Sequence, residues 1–198
     1  MKKFILHLLA FTLVLVVMDQ IGGRLLLKLY FDAKQSFPAK LNYVAHNSTE
    51  DVLIFGSSRG YRHYNPAIIA EESSMSVYNA SIQGNGIVLA NGLYLISRKH
   101  HVPKTVLIDI FYEYDQTTRF QNTRFIDLLK PLYGESPELQ EYFKRIDPWT
   151  PLTMKSLLYR TNSQLFSILK NQKQPEHFHN GFDPLPPVPK DPVGKKYK

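Results

Sequence analysis

Residues 51–60 read DVLIFGSSRG, a short apolar run that stops at Gly56 and is followed by two serines. Four consecutive apolar residues, 52–55, are typical of a parallel strand that is buried on both faces. The glycine predicts a tight loop at the carboxyl end of that strand, which is the end where open α/β sheets bind their ligands. The stretch therefore predicts an α/β fold and places Ser58 and Arg59 at a strand-to-helix turn.

The chain beyond this turn predicts a returning helix and a second loop of the same kind. Residues 61–70 suit a helix, with Asn65 as the N-cap and Pro66 at the first helical position. Residues 77–86, VYNASIQGNG, again end a short apolar piece in a glycine-rich polar loop, and residues 87–99 suit another helix. Two strand ends would thus carry small polar residues side by side on one rim of the sheet.

The two loops together resemble the SGNH (GDSL-like) hydrolase family. They resemble in particular its membrane-anchored bacterial branch, which is related to O-acyltransferases and esterases of cell-surface polysaccharides. The first family block is Gly-Asp-Ser or a variant, and residues 56–58, Gly-Ser-Ser, match it. The resemblance implies that Ser58 is the catalytic nucleophile and that its backbone N–H forms part of the oxyanion hole. Gly84 matches the glycine of the second block, with Gly86 as the alternative match two residues on, and would supply the other oxyanion donor.

The resemblance also implies a fold and a rim for the site. The fold is a flavodoxin-like, doubly wound parallel sheet in a three-layer α/β/α arrangement, preceded by an N-terminal transmembrane helix. Arg59, Asn85 and Asp109 become candidates for the site rim. Asp109 is unusual because it lies in an otherwise apolar strand predicted at 105–110.

The chain departs from the family pattern in two places. The third family block is a Gly-x-Asn-Asp loop, but the strand at 105–110 runs into FYEYD, residues 111–115, without that asparagine. The last block, Asp-x-x-His, supplies the general base, and none of the seven histidines has an aspartate three residues before it. A serine hydroxyl is a weak nucleophile without a base. We therefore expect an incomplete sheet, a truncated chain and little turnover. The histidines that stay open as alternative bases are His63, His100, His101, His177 and His179.

The N-terminus predicts a membrane segment. Two lysines precede residues 4–18, whose only strongly polar member is His7. This run is shorter than the ~20 residues of a typical span, so a cleaved signal peptide is the alternative. No small-x-small cleavage site follows, and a second apolar run at 25–31 favours an uncleaved anchor helix over 1–31.

Three charged residues affect how this helix is interpreted. Arg24 and Lys28 would snorkel to the membrane interface. Asp19 would pair with Arg24, face a partner subunit, or simply mark the end of the span. Basic residues flank the apolar run on both sides, so the positive-inside rule does not decide the orientation. The family resemblance implies a cell-membrane protein with its globular domain outside the cytoplasm.

Composition divides the rest of the chain into three parts. Helical character rises in the second half, where Ser136-Pro137 and Thr150-Pro151 are helix-start signals. The C-terminus is rich in proline and lysine, and we predict that it is disordered. The predicted parts are a stalk at 32–48, an SGNH-like α/β domain at 49–180 with a helical insertion at about 120–172, and a basic tail at 181–198.

Charge and cysteine usage exclude several classes of function. The net charge of +7 lies mainly at the ends, because residues 1–40 contribute +4 and residues 181–198 contribute +2. The nearly neutral centre argues against a nucleic-acid-binding face. The lack of cysteine rules out disulfides and thiolate metal sites. Histidines at 100–101 suit a helix end, and the EHFH segment at 176–179 is too sparse for a metal site. We predict no metal and no cofactor.

Two functions of different classes follow. The first is a membrane-anchored serine esterase or O-acyltransferase relative that acts on a cell-surface glycan through an acyl-Ser58 intermediate and is nearly inactive in this chain. The second is a non-catalytic, membrane-tethered protein that binds a glycan or a partner through the same rim. The predicted partners are the lipid bilayer, a cell-surface glycan and a membrane acyltransferase. Nucleotide binding is disfavoured, because neither G-x-G-x-x-G nor a lysine-bearing phosphate loop is present.

Overall fold

The computed structural model describes residues 1–34, 36–110, 126–170 and 180–185. The elements follow one another in this order: α1 (Lys2–Phe31), α2 (Ser36–His46), β1 (Val52–Phe55), α3 (Ser58–His63), α4 (Pro66–Ser73), β2 (Val77–Asn79), α5 (Ile87–Ser97), β3 (Thr105–Ile108), a 3₁₀ helix (Asp127–Gly134), α6 (Pro137–Ile146), α7 (Thr150–Thr153), α8 (Leu157–Thr161), a second 3₁₀ helix (Asn162–Gln164) and α9 (Leu165–Lys170).

β1 is the central strand of a three-stranded parallel sheet with the order β2-β1-β3. Val52 pairs with Val77 on one side and with Thr105 on the other. All four residues of β1 are buried, as its uninterrupted apolar run predicts. The prediction of an α/β fold with a parallel sheet is therefore confirmed in the described residues.

Helices cover both faces of β1. Leu53 and Phe55 face the larger core, which α2, α5, α6 and the 3₁₀ helix Asp127–Gly134 complete. Val52 and Ile54 face the other way and pack with Ile69 of α4. This alternation follows from the two-residue period of a strand.

The segment after β1 contains two helices rather than the single helix predicted over 61–70. α3 stops before Tyr64, whose backbone is extended with φ −93° and ψ 95°. Asn65 is the N-cap of α4, because its side-chain oxygen accepts the Ala67 N–H at 3.0 Å, and Pro66 is the first helical residue. A residue that precedes proline avoids the helical conformation. The Asn65-Pro66 pair therefore ends α3 as well as starting α4.

α1 is one continuous helix of 30 residues. It is long and apolar enough to cross a membrane, and no residue of its most apolar window is buried in the protein. Its second half instead contacts the folded domain, where Gly23 and Tyr30 are buried. The helix therefore matches the predicted range of 1–31, but the apolar run at 25–31 is partly covered by protein.

A close approach and a helix cap fix the second half of α1 to α8. A Cβ on Gly23 would lie 2.2 Å from the Cβ of Leu157, so the glycine lets the two helices touch. Asp19 Oδ1 accepts the Ser156 hydroxyl at 2.5 Å. The same carboxylate accepts the N–H groups of Leu157 at 3.0 Å and Leu158 at 3.2 Å. Asp19 thus satisfies amides that the first turn of α8 leaves without partners, a role that the sequence did not predict.

The interval 32–48, interpreted from the sequence as a stalk, is part of the folded domain. α2 occupies most of it and contacts α5. Leu41 and Val44 are fully buried, because the apolar face of α2 completes the larger core. The described residues of 32–48 are therefore part of the domain, which begins inside α1.

The first residues of the predicted disordered tail lie against β2. The Asn79 N–H donates to the carbonyl of Asn180 at 2.9 Å. Gly181 comes so close that a Cβ on it would lie 2.1 Å from the Asn79 carbonyl oxygen. Residues 181–183 are therefore packed on the fold, 184 and 185 are exposed, and the rest of the predicted tail, 186–198, lies outside the described residues.

The described part of the predicted helical insertion, 126–170, consists of helices and short connections. Pro137 is the first residue of α6, and Ser136 caps it by accepting the Leu139 N–H at 2.9 Å. α7 begins at Thr150, and its N-cap is Trp149. The two start signals in the sequence therefore coincide with helix starts.

Candidate functional site

The loops that follow β1 and β2 lie side by side, as the sequence predicted. The Ala80 N–H donates to the Ile54 carbonyl at 2.7 Å, and the Ile82 N–H donates to the Gly56 carbonyl at 3.0 Å. These bonds continue the pairing beyond the ends of the two strands. The polar residues of both loops therefore share the carboxyl edge of the sheet, where α/β folds bind ligands.

Two glycines allow the turn after β1 to pack tightly. A Cβ on Gly56 would lie 2.8 Å from the Cβ of Asp109. A Cβ on Gly60 would lie 2.6 Å from the Oγ of Ser81. Neither position has room for a methyl group, so the turn is held between the residues that follow β2 and those that follow β3.

The two serines of the turn have different surroundings. Ser57 is the N-cap of α3 and is only 3% exposed. Ser58 is the first residue of α3 and is half-buried. The N–H groups of the first helical residues have no acceptor inside their own helix. Ser58 is therefore the serine of this turn that a small molecule at the sheet edge reaches more easily.

A salt bridge joins α3 to the end of β3. Asp109 follows β3, its N–H donates to the Phe55 carbonyl at 2.8 Å, and its side chain is 4% exposed. Arg59 Nη2 lies 2.5 Å from Oδ1, and Nε lies 2.9 and 3.1 Å from the two carboxylate oxygens. Nη2 also donates to the Ile110 carbonyl at 2.9 Å. The hydrogen-bonded carboxylate raises the pKa of Arg59. Asp109 is thus engaged in a structural pair.

Gly84 and Asn85 lie in the loop after β2. Gly84 has a φ of 73°, which favours glycine, and a Cβ there would meet nothing within 4 Å. Asn85 is buried, and its Nδ2 donates to the Gln83 carbonyl at 3.0 Å. Asn85 therefore stabilises the loop, while the space beside Gly84 is open. Within the described residues, no hydrogen bond joins Gly84 to Ser58.

His100 and His101 lie at the wrong end of the sheet to act on Ser58. His100 Nε2 is 3.2 Å from the Ser48 carbonyl oxygen, and His101 Nε2 is 2.9 Å from the Glu50 carbonyl oxygen. Both contacts are at the amino end of β1, whereas Ser58 follows its carboxyl end. The four residues of β1 rise about 13 Å, far more than a hydrogen bond.

His63 is on α3 itself but faces away from the serine. Its Nδ1 is 3.0 Å from the carbonyl oxygen of Arg59. Residues five apart on a helix do not share a face, so His63 and Ser58 point in different directions. His177 and His179 lie outside the described residues. None of the three described candidates, His63, His100 and His101, is therefore placed to activate Ser58.

A buried lysine behind the turn is a residue that the sequence analysis missed. Lys40 is 3% exposed, and its Nζ donates to the carbonyls of Ser81 at 2.6 Å and Gly181 at 2.7 Å. The ammonium also lies 4.6 Å from the centre of the Tyr61 ring. Burial lowers the pKa of Lys40 to about 7, and the charge of Asp183 opposes this shift. Lys40 therefore links α2, the loop after β2 and the segment 180–185.

One signal in the sequence could have identified this lysine. Lys40 lies three residues after Phe37 and four before Val44, on the apolar stripe of α2. A lysine inside such a stripe indicates a buried charge that needs acceptors. The acceptors could not be found in the same way, because Gly181 is 141 residues away.

An apolar cavity of about 660 Å³ opens beside the end of β1. Its lining includes Phe55 of β1, Ile87 and Tyr94 of α5, and Tyr142 of α6. The volume is in the range of small-molecule sites, and the lining suits a hydrocarbon group. In the described part of the chain, no group of three or more potential metal ligands comes together.

No protein-family model, curated protein or solved structure matches this chain. The arrangement of Ser58, the Arg59–Asp109 pair and the Gly84 loop is therefore the basis for assigning a function.

Proposed function

We propose that this chain is a membrane-anchored relative of the SGNH hydrolases, with Ser58 at the position of their serine nucleophile. The observation that supports this most is that Ser58 starts α3, directly after β1 and beside the loop that follows β2. The strand order β2-β1-β3 is also how a flavodoxin-like sheet begins. The substrate class that fits is an acyl ester on a cell-surface glycan, and the reaction is ester hydrolysis or O-acyl transfer.

In this proposal Ser58 forms a covalent intermediate. Its Oγ attacks the ester carbonyl, and the backbone N–H groups of Ser58 and Gly84 donate to the oxyanion that forms. Collapse of the tetrahedral intermediate releases the alcohol and leaves acyl-Ser58. Water or a glycan hydroxyl then takes the acyl group and restores the serine. The apolar cavity beside Phe55 would hold the carbon chain of the acyl group.

The proposed chemistry is slow in this chain, because the attack needs a base to take the hydroxyl proton. His100 and His101 lie at the other end of β1, and His63 lies on another face of α3. Asp109, the nearest buried carboxylate of the rim, is paired with Arg59. Loss of the base from a catalytic triad removes several orders of magnitude of rate.

These same observations favour a second candidate function. A non-catalytic protein, tethered to the membrane, would bind a cell-surface glycan or a membrane acyltransferase through the rim formed by Arg59, Gly84 and Asn85. The space open beside Gly84 leaves room for such a ligand. No acyl-serine would form in this case.

For either function we propose that α1 anchors the chain and that its domain lies outside the cytoplasm. The exposed, apolar first half of α1 supports the anchor, and the family resemblance supports the orientation. Membranes washed with alkaline carbonate should retain the chain. Recovery of a soluble form that begins near residue 20 would identify the segment as a signal peptide instead.

The reactivity of Ser58 is tested with a fluorophosphonate probe on the full chain in lipid nanodiscs, with imidazole added as a soluble base. We expect labelling of Ser58, located by peptide mass spectrometry, to be slow without imidazole and several-fold faster with it. Ser58→Ala should abolish the label. Ser57→Ala is the matched control and should keep it, because Ser57 makes no side-chain cap.

The other outcomes separate the alternatives. If Ser58 is never labelled, the nucleophile assignment fails and the non-catalytic function is favoured. If labelling is fast without imidazole and p-nitrophenyl acetate is turned over briskly, a base is present in the chain and our expectation of low activity is wrong.

A further inference from the structure

The apolar first half of α1 is too short to span a bilayer by itself. Residues 4–18 form about 22 Å of helix at about 1.5 Å per residue. The hydrocarbon core of a bilayer is about 30 Å thick, so residues 4–18 leave about 8 Å of that core uncovered. In the next turn of α1, Asp19, Gly22 and Gly23 already face α8. The part of the domain that packs on this turn of α1 therefore lies at the edge of the hydrocarbon core.

The same contacts bring a short stretch of the domain to the level of Asp19. Gln20 Nε2 donates to the Lys155 carbonyl at 3.4 Å, next to the cap that Asp19 makes at the start of α8. Two hydrogen-bonded turns lead back from there, because the Lys155 N–H donates to the Leu152 carbonyl and the Leu152 N–H donates to that of Trp149. The start of α8 thus lies beside Asp19 and Gln20 of α1, and α7 is joined to it by these turns.

Large apolar side chains are exposed on both sides of this junction. On α1, Ile21 and Leu25 are exposed, and on the α7–α8 side Trp149, Leu152 and Leu158 are exposed. We call these five residues the interfacial patch. Trp149 is 68% exposed and Leu152 is 60% exposed, which is unusual for side chains of this size. Tryptophan is enriched where membranes meet water.

Basic side chains surround the interfacial patch. Arg24, Lys28 and Lys155 are exposed, and none of them forms a salt bridge within the described residues. Cations at this depth would lie near lipid phosphates. The carboxylate of Asp19, in contrast, is directed at the N–H groups of α8, so that its charge is not left bare at the membrane boundary.

From these observations we propose that the interfacial patch is immersed in the bilayer interface. The domain then rests on the membrane through α7 and the start of α8, in addition to being tethered by α1. The occupant of the patch is lipid, because the patch continues the exposed apolar surface of α1 and is bordered by cations that form no salt bridge with the part of the chain that the structure describes. This inference rests on the proposed membrane anchor.

The chain offers a direct reporter, because Trp149 is its only tryptophan. The full chain is reconstituted in phosphatidylcholine vesicles that contain anionic lipid, with or without dibrominated acyl chains, which quench tryptophan on contact. We expect dibrominated lipid to reduce the Trp149 emission by about twofold or more, with little quenching by aqueous acrylamide. Leu152→Asp should reverse this preference, because a carboxylate is expensive to immerse.

A matched control moves the reporter to an exposed apolar position elsewhere. Ile68 on α4 is 58% exposed, and α4 contacts β2 on the far face of the sheet. In the double variant Trp149→Phe, Ile68→Trp, the new tryptophan should be quenched by acrylamide and not by dibrominated lipid. Circular dichroism of each variant verifies that the helices are retained.

The outcomes separate this proposal from the anchor on which it rests. If the chain leaves the vesicles on carbonate washing, the anchor is wrong. If the chain stays but acrylamide quenches Trp149, the domain stands clear of the membrane and the interfacial patch is not immersed. If neither quencher reaches Trp149, another protein surface, such as a second copy of the chain, covers the patch and our proposal is wrong.

Discussion

The cap that Asp19 makes on α8 leads to a quantitative prediction. Its carboxylate accepts the Ser156 hydroxyl and the N–H groups of Leu157 and Leu158 at distances of 2.5 to 3.2 Å. Loss of a side-chain N-cap costs about 0.5–2 kcal/mol, and hydrogen bonds to a charged group contribute about 1.5–3 kcal/mol each. Water can replace part of these bonds, because Asp19 is only partly buried. We therefore expect Asp19→Ala to lower the free energy of unfolding by about 2 kcal/mol.

For a chain of this length, 1 kcal/mol shifts Tm by about 2–4 °C, so Asp19→Ala should lower Tm by about 4–8 °C. The assay is thermal unfolding in detergent micelles, followed by the emission of Trp149, which lies one residue before α7. Asp19→Asn keeps an acceptor oxygen, so its Tm should fall by less than that of Asp19→Ala. Asp32→Ala is the control, since Asp32 is exposed at the other end of α1 and should change Tm by less than about 1 °C. An Asp19→Ala protein that melts with the wild type would refute the assigned role of the cap.

Two further predictions concern the charged groups behind the site. Arg59→Met should lower Tm and weaken ligand binding at the proposed site, because it leaves the buried Asp109 carboxylate without its cation. Arg59→Lys should restore only part of the lost Tm, since lysine cannot reproduce the forked contact. An unchanged Tm for Arg59→Met would show that the pair contributes nothing to stability. Lys40 has a pKa of about 7 when folded and 10.5 when unfolded, so between these values only the unfolded chain holds the proton and stability should rise with pH. Unfolding followed across this pH range should show the rise in the wild type and a flatter profile in Lys40→Met; equal profiles would mean that Lys40 is not buried as described.

The parts of the fold that depend on local chemistry could be predicted from the sequence. The apolar run 52–55 gave a buried central strand, and Gly56 ended it where expected. The pair Asn65-Pro66 gave the start of α4, and Ser136-Pro137 gave the start of α6. In each case the residues that decide the structure are neighbours in the sequence, so the local sequence pattern is enough to predict the element.

The predictions that were wrong concern residues whose partners lie far away in the sequence. The region 32–48 was interpreted as a stalk, whereas Lys40 within it donates to the carbonyl of Gly181, which is 141 residues away. Asp19 looked like the end of a span, because the amide of Leu157 that it caps is 138 residues away. A glycine or a charged residue shows that some partner is needed, but only the folded chain shows which one.

The candidate site was predicted in outline but not in its contacts. Arg59 and Asp109 were both assigned to the rim, and in the structure they hold each other rather than a ligand. The environment of Ser58 followed from its place after β1, whereas the positions of His63, His100 and His101 depend on how their helix and loop pack. The presence or absence of a base could therefore not be decided from spacing alone.

The junction of α1 with α8 has a consequence for what the site can reach. A flexible stalk over 32–48 would have an r.m.s. end-to-end distance of about 23 Å. The domain could then move relative to its anchor, and Ser58 could lie at many heights above the lipid. Here Gly23 is wedged against α8, and a side chain there would overlap its backbone. A rotation of α1, or a shift along its axis, would therefore also move the domain that contains the sheet. If α1 lies in a bilayer as we propose, the sheet edge that carries Ser58 is held at one height above the lipid, and the proposed glycan ester would be selected by its distance from the membrane.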